Sequence, residues 1–164
     1  MAERADDGPL SSFASLDKLA YDSYEAMVIL AAVAAVTRRI RLMTAVLVSP
    51  LRSVGVLAKQ AATIDAIPGG RLTLGLAAGS CKDDSLIAPS GFYDRGRRFA
   101  TQLDEMRRIW SGEKLEGATY AARPAPVQAN GPELLLGVTA DRAVDRVGRF
   151  ADGYVMGGRA SDPE

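Results

Sequence analysis

The chain has 164 residues, enough for one domain with a substantial apolar core. Its 20 basic residues balance 20 acidic ones, so net charge gives no case for nucleic acid or an anionic membrane as partner. Histidine is absent, which excludes Ser-His-Asp and Cys-His nucleophile systems and the H-E-x-x-H metal helix; the single cysteine, Cys81, permits no internal disulfide and suits a reducing compartment.

Residues 1–22 are acidic and mixed, with Gly8-Pro9 as a breaker, and are expected to form a loose arm. Glu3, Arg4, Asp6 and Asp7 precede any apolar run, so no secretory signal is visible. Ser23 is placed to cap a helix whose first turn holds Glu25. Ala26–Thr37 then reads as a largely buried, alanine-rich helix, and its most apolar window, Ala26–Val36, is too short to span a bilayer. The expected location is cytoplasmic.

Two apolar runs follow, Ile40–Val48 and Leu72–Ala77. They are too continuous for half-exposed strands, so each is expected to be covered on both faces, as in a parallel sheet. Between them Val54, Leu57, Ala58, Ala61 and Ile64 recur at helical spacing within Arg52–Ala66. Pro50 stops the first strand, and Pro68-Gly69-Gly70 stops the helix, which completes a βαβ unit.

Beyond Gly79 a polar loop is expected over Ser80–Ser90, then a helix from Tyr93 to Trp110 with Phe99, Leu103, Met106 and Trp110 on one face. The arginines on its other faces alternate with acids and read as a solvated surface. Ser111–Pro132, rich in proline and glycine, is expected to be an excursion with a small hairpin at Lys114–Tyr120. Leu134–Gly137 reads as a strand, Asp141–Phe150 as a helix, and Tyr154–Met156 as a last strand ended by Gly157-Gly158. The alternation implies an α/β fold with about four parallel strands. Pattern alone leaves an open doubly wound sheet and part of a (β/α)8 barrel in competition.

In either architecture ligands bind beyond the carboxyl ends of the strands. Gly137-Val138-Thr139-Ala140 leads into a helix start that would suit a phosphate; Thr139 acting simply as a cap is the alternative. Gly75–Gly79 lacks the G-x-G-x-x-G fingerprint, and Gly79-Ser80-Cys81-Lys82 is no Walker loop. Asp83 and Asp84 read as solvated loop acids rather than metal ligands, and Cys81 as an inert thiol beside Lys82. With no acid–base or nucleophile apparatus visible, the chain suits either a cofactor enzyme or a non-catalytic module.

Three blocks carry a family resemblance: RIRLMTAVLVSPLRSVGVLAKQAATIDAIPGGRLTLGLAAG, GFYDRGRRFATQLDEMRRIWSG and LLLGVTADRAVDRVGRFADGYVMGG. Together, and above all through the D-x-x-P-G-G-R-L-x-L-G segment at Asp65–Gly75, residues 24–158 resemble the bacterial luciferase-like flavin monooxygenases. The resemblance implies a (β/α)8 TIM barrel that holds reduced FMN, or alternatively a deazaflavin, at the carboxyl end of its strands. It implies that Thr44, Ala45 and Val46 lie against the flavin ring, with a non-prolyl cis peptide at Ala45–Val46. It also implies that Ala77 and Gly79 form the next ligand-facing strand end, and that Gly137, Val138 and Thr139 form the phosphate-binding turn.

The same comparison gives residues 1–22 no counterpart to the family's opening strands, and two strand–helix units are missing after Gly158. A partial barrel domain over 23–158 with a tail at 159–164 is therefore expected, its open edges paired with a second copy or with a chain supplying the missing strands. The implied activity is flavin-dependent oxidation of a small organic substrate, with Cys81 and Tyr154 as candidate contributors and no assigned acid or base. The alternative is a non-catalytic remnant that binds flavin or a partner. A nucleotide-binding open sheet would account for the alternation but not for the three blocks.

Overall fold

The computed structural model describes residues 1–138 and 141–156. Its elements run α1 (Ala2–Asp6), β1 (Ser12–Ser15), α2 (Ala26–Val36), β2 (Arg41–Val48), a 3₁₀ turn (Ser49–Leu51) and α3 (Val54–Ala66). Then come β3 (Leu72–Ala77), α4 (Lys82–Ile87), α5 (Arg95–Trp110), β4 (Glu133–Val138), α6 (Asp141–Phe150) and β5 (Gly153–Met156). The strands form one sheet in the order β1-β2-β3-β4-β5, every neighbouring pair parallel. A doubly wound sheet reverses its strand order at a switch point; here each crossover steps the same way. The competition is settled in favour of an arc of the barrel type.

Residues paired across a parallel ladder share a face. The register sets Leu42 beside Leu72 and Leu74 beside Leu134, and these leucines are fully buried. They meet Leu30 of α2, Leu57 of α3, and Leu103 and Met106 of α5 in a single core cluster. The opposite face carries Thr73, Gly75 and Ala77 of β3 and is the inner face of the arc. Trp110, at the end of α5, donates its indole N–H to the Ala58 carbonyl of α3 at 3.0 Å, so the helical layer is pinned as well as packed.

The Asp65–Gly75 segment has a mechanical reading. Asp65 is fully buried in the last turn of α3, and its carboxylate accepts from the Val127 and Gln128 backbone N–H groups and the Gln128 side-chain amide. That sutures the excursion before β4 to the start of β3. Gly69 and Gly70 turn the chain at φ of 70° and 89°, values that favour glycine. Arg71 then donates to the carbonyls of Pro68, Thr37 and Ile40, which ties the α2–β2 corner to the same turn.

Four expectations change. Residues 1–22 hold α1 and β1 instead of a loose arm, so the sheet has one strand more than expected. The arm is ordered because the Asp6 carboxylate accepts from the N–H groups of Arg38, Arg39 and Ile40, while Arg39 donates to the carbonyls of Asp6, Gly8 and Leu10. α2 is capped by Glu25, whose carboxylate accepts from Val28 N–H at 2.8 Å, rather than by Ser23. The Ser80–Ser90 loop contains a helix, α4, and Lys114–Tyr120 contains no strand. The expected stop at Gly157-Gly158 lies outside the described residues.

Candidate functional site

The carboxyl end of β2 departs from a regular ladder. Thr44 pairs with Leu74 and Leu47 with Leu76, so three steps on β2 match two on β3, a bulge of one residue. The cis peptide Ala45–Val46 lies inside it, at the bond expected. Both flanking residues, Thr44 and Leu47, face the helical layer, and the extra residue turns Val46 towards the inner face. Thr44 is fully buried and its hydroxyl donates to the Gly75 carbonyl at 2.7 Å. Its side chain therefore locks β2 to β3 from behind the inner surface.

On that surface Val46, Ala77 and Gly137 come together. A β-carbon on Gly137 would stand 3.1 Å from the Ala77 β-carbon and 3.3 Å from Val46 Cγ2. A β-carbon on Gly75 would stand 2.1 Å from the Thr44 carbonyl oxygen, so only glycine lets the bulged strand press this close. The result is a low, apolar floor of small side chains and backbone. Gly79, at φ of 84°, leaves β3 with its Cα against Val48, where a β-carbon would come 2.6 Å from Val48 Cγ1. Arg95 stacks on Phe92 at 3.8 Å and donates to the Gly79 carbonyl at 2.7 Å, which holds the strand exit in place.

Val138 shares a face with Met156 and so points away from the floor. Thr139, the remaining residue of the expected phosphate turn, lies outside the described residues. Tyr154 pairs with Leu136, on the helical side of β5, and is 61% exposed there, so its phenol does not reach the floor. Cys81 is a half-buried free thiol at the start of α4. Among the described residues no group of His, Cys, Asp or Glu could hold a metal ion.

Charged groups at this end are committed to one another. Asp17, 2% exposed at its side chain, accepts two hydrogen bonds from the Arg52 guanidinium, at 2.7 and 2.8 Å, and one from Val48 N–H. Arg52 also donates to Glu25 at 2.7 Å. Burial alone would pull the Arg52 pKa down; the hydrogen bonds and charges of Asp17, then of Glu25, outweigh it and raise it. Gln102 of α5 closes the corner by donating to the Arg52 carbonyl and accepting from Ser49. Nothing in the spacing of Asp17, Glu25 and Arg52 announced this network. Asp84, expected to be solvated, is instead buried and bonded to the loop after β1.

Two grooves of about 440 and 530 Å³ open elsewhere, one between α3 and α5 and one at the amino ends of β2 and β4. Neither is lined by Val46, Ala77 or Gly137. The floor is a trough separate from both grooves. Its chemistry still fits the ring of a flavin, since a flat, apolar surface with close backbone accepts a planar aromatic system.

An arc of parallel strands with a bulged, glycine-lined floor at its carboxyl end defines a barrel-type α/β protein. Residues 1–164 match the profile described as luciferase-like monooxygenase, and the chain belongs to that family. It is 32% identical over 136 residues to an F420-dependent glucose-6-phosphate dehydrogenase of Beutenbergia cavernae, covering 77% of this chain and 40% of the relative. It is 26% identical over 149 residues to an FMNH(2)-dependent dimethylsulfone monooxygenase of Pseudomonas putida, covering 85% of this chain and 41% of the relative. The solved monooxygenase RslO1 of Streptomyces bottropensis superposes with a TM-score of 0.76 at 24% identity, over 87% of this chain and 46% of that one. The chain thus spans about half the length of the curated relatives it matches.

Proposed function

We propose that the chain is the flavin-platform portion of a luciferase-like oxidoreductase, using reduced FMN, or a deazaflavin, on a small organic substrate. The observation that carries this reading is the Val46–Ala77–Gly137 floor beyond the bulge in β2. The relatives' names supply the cofactor class, FMN in one and F420 in another.

The bound flavin would supply the redox chemistry. Val46, Ala77 and Gly137 would support one face of its ring and exclude water from it, while Gly79, held by Arg95, would set the edge of the platform. The turn at Gly137, Val138 and Thr139, leading to α6, is the proposed phosphate end. Thr44 would act from behind, fixing the bulge through its bond to Gly75, and Ala45 would present backbone to the ring. No side chain is assigned as acid or base.

The reading extends to assembly and location. Among the described residues β1 and β5 are each paired on one side only, and Met156 on β5 is 78% exposed. Such edges template further pairing, so the working form is inferred to include a second copy or a chain that supplies further strands. No helix among the described residues is long and apolar enough to cross a membrane. The lone thiol fits a cytoplasmic setting.

Titration with oxidised and reduced FMN and with F420, followed by flavin fluorescence and oxygen uptake, tests the proposal. Binding with reductant-dependent turnover supports it. Binding without turnover favours the second reading, a flavin-binding remnant. No binding of any flavin, by the chain alone or in its native assembly, removes both.

A further inference from the structure

Beyond the strand ends, two segments flank the trough without any apolar anchor. The loop 16–24 after β1 buries only Asp17, and α4 buries only Asp84. Neither contributes a side chain to the core cluster. Arg95 fixes Gly79 on one side of α4, and Arg98 fixes Gly91 on the other by donating to its carbonyl at 2.8 Å. Between those two anchors, the hydrogen bonds that tie residues 80–90 to a distant part of the chain are, among the described residues, those of the Asp84 carboxylate.

That carboxylate is 1% exposed. Its Oδ1 accepts from Leu19 N–H at 3.0 Å and Ala20 N–H at 3.1 Å. Its Oδ2 is buried with no hydrogen bond, and the Lys18 ammonium stands 3.7 Å away. A segment held by apolar burial resists small changes at any one residue; a segment held by one carboxylate depends on that group. Several large apolar side chains, Tyr21, Leu86 and Ile87 among them, stand exposed on the joined pair, so the pair forms a wall rather than part of the core.

We propose that Asp84 is a positioning residue that latches the loop after β1 onto α4 and so fixes the rim of the platform. What the rim encloses rests on the flavin reading; the latch does not. Releasing Asp84 frees α4 and the loop from Lys18 onward together, while Asp17 stays bonded to Arg52 and Val48 and the sheet stays intact; ligand retention weakens through the rim rather than the floor.

Amide hydrogen exchange on the full chain tests it. In Asp84→Ala, amides in 18–24 and 80–90 are expected to exchange roughly tenfold faster, with Asp17, β2 and β3 unchanged. Asp84→Asn keeps an oxygen for Leu19 and Ala20 and is expected to restore most of the protection. Should the alanine variant fail to accumulate, the asparagine variant carries the test, with a smaller acceleration confined to the same segments. Unchanged exchange in both segments, or acceleration spread through β2 and β3, overturns the latch. FMN titration of the same proteins separates the two ideas: local opening without flavin binding in any of them, wild type included, leaves the latch standing and removes the flavin reading.

Discussion

Val46 Cγ2 stands 3.3 Å from the point where Gly137 would carry a β-carbon, two strands away across the inner face. The bulge in β2 delivers the valine, and the bare backbone of β4 receives it. The platform is therefore one surface made by three strands, with Gly75 as the place where the bulge presses on β3.

Two alanine substitutions should behave differently because the crowded atoms differ. Gly137→Ala meets Val46 Cγ2 at 3.3 Å, which can rotate away, and the Ala77 β-carbon at 3.1 Å, which yields a few tenths of an ångström only with its strand, and should cost about 1–2 kcal/mol in urea unfolding. It raises the floor, so FMN affinity should fall roughly tenfold, a change equivalent to about 1.4 kcal/mol. Gly75→Ala meets the Thr44 carbonyl oxygen at 2.1 Å, which is the backbone of the neighbouring strand, and should cost about 3 kcal/mol or more. Equal stability losses for the two variants would show that the floor is not built as described.

The core strands were legible because burial on both faces leaves continuous apolar runs, as in Leu72–Ala77. β1 was not legible, since Ser12–Ser15 is four residues with two serines, and its pairing is dictated by β2 rather than by its own pattern. Asp84 was missed for a different reason. Its partners Leu19 and Ala20 lie 65 and 64 positions away, and a carboxylate bonded to backbone N–H groups leaves no mark on the partner's side-chain sequence. The expected hairpin at Lys114–Tyr120 failed because nothing pairs it; the excursion is held by the Asp65 carboxylate at Val127 and Gln128 instead. For the candidate site, the cis bond was readable from the family blocks, whereas the face each residue takes required the register.

Arg52 is the second test of how the carboxyl end is held. Its side chain is 14% exposed, and removing it leaves the Asp17 carboxylate buried without a cation. Arg52→Ala should therefore lose about 3–5 kcal/mol in urea unfolding. Replacing both partners, Asp17→Leu with Arg52→Met, should recover most of that loss, because two desolvated charges are then exchanged for apolar contact. A double variant no more stable than the single one would mean that the Val48 N–H bond to Asp17, and not the ion pair, dominates the corner.

Asp6 gives a pH dependence with a definite sign. The N–H groups of Ile40 and Arg38, helped by the N–H and the guanidinium charge of Arg39, outweigh the opposing effect of burial and lower its pKa from 3.8 to about 2. A carboxylate whose pKa is lower in the folded chain stabilises it fully above the unfolded value and progressively less as pH falls towards the folded one. The contribution of Asp6 is thus present above about pH 4 and is lost between about pH 4 and pH 2. Asp6→Asn, neutral at every pH, should unfold more readily than the wild type at pH 6 and draw level with it near pH 2. Thermal melts of both proteins across that range, read as the difference in midpoint, make the comparison. A difference that stays constant down to pH 2 would show that the carboxylate charge is not what fastens α1 and β1 to the corner between α2 and β2.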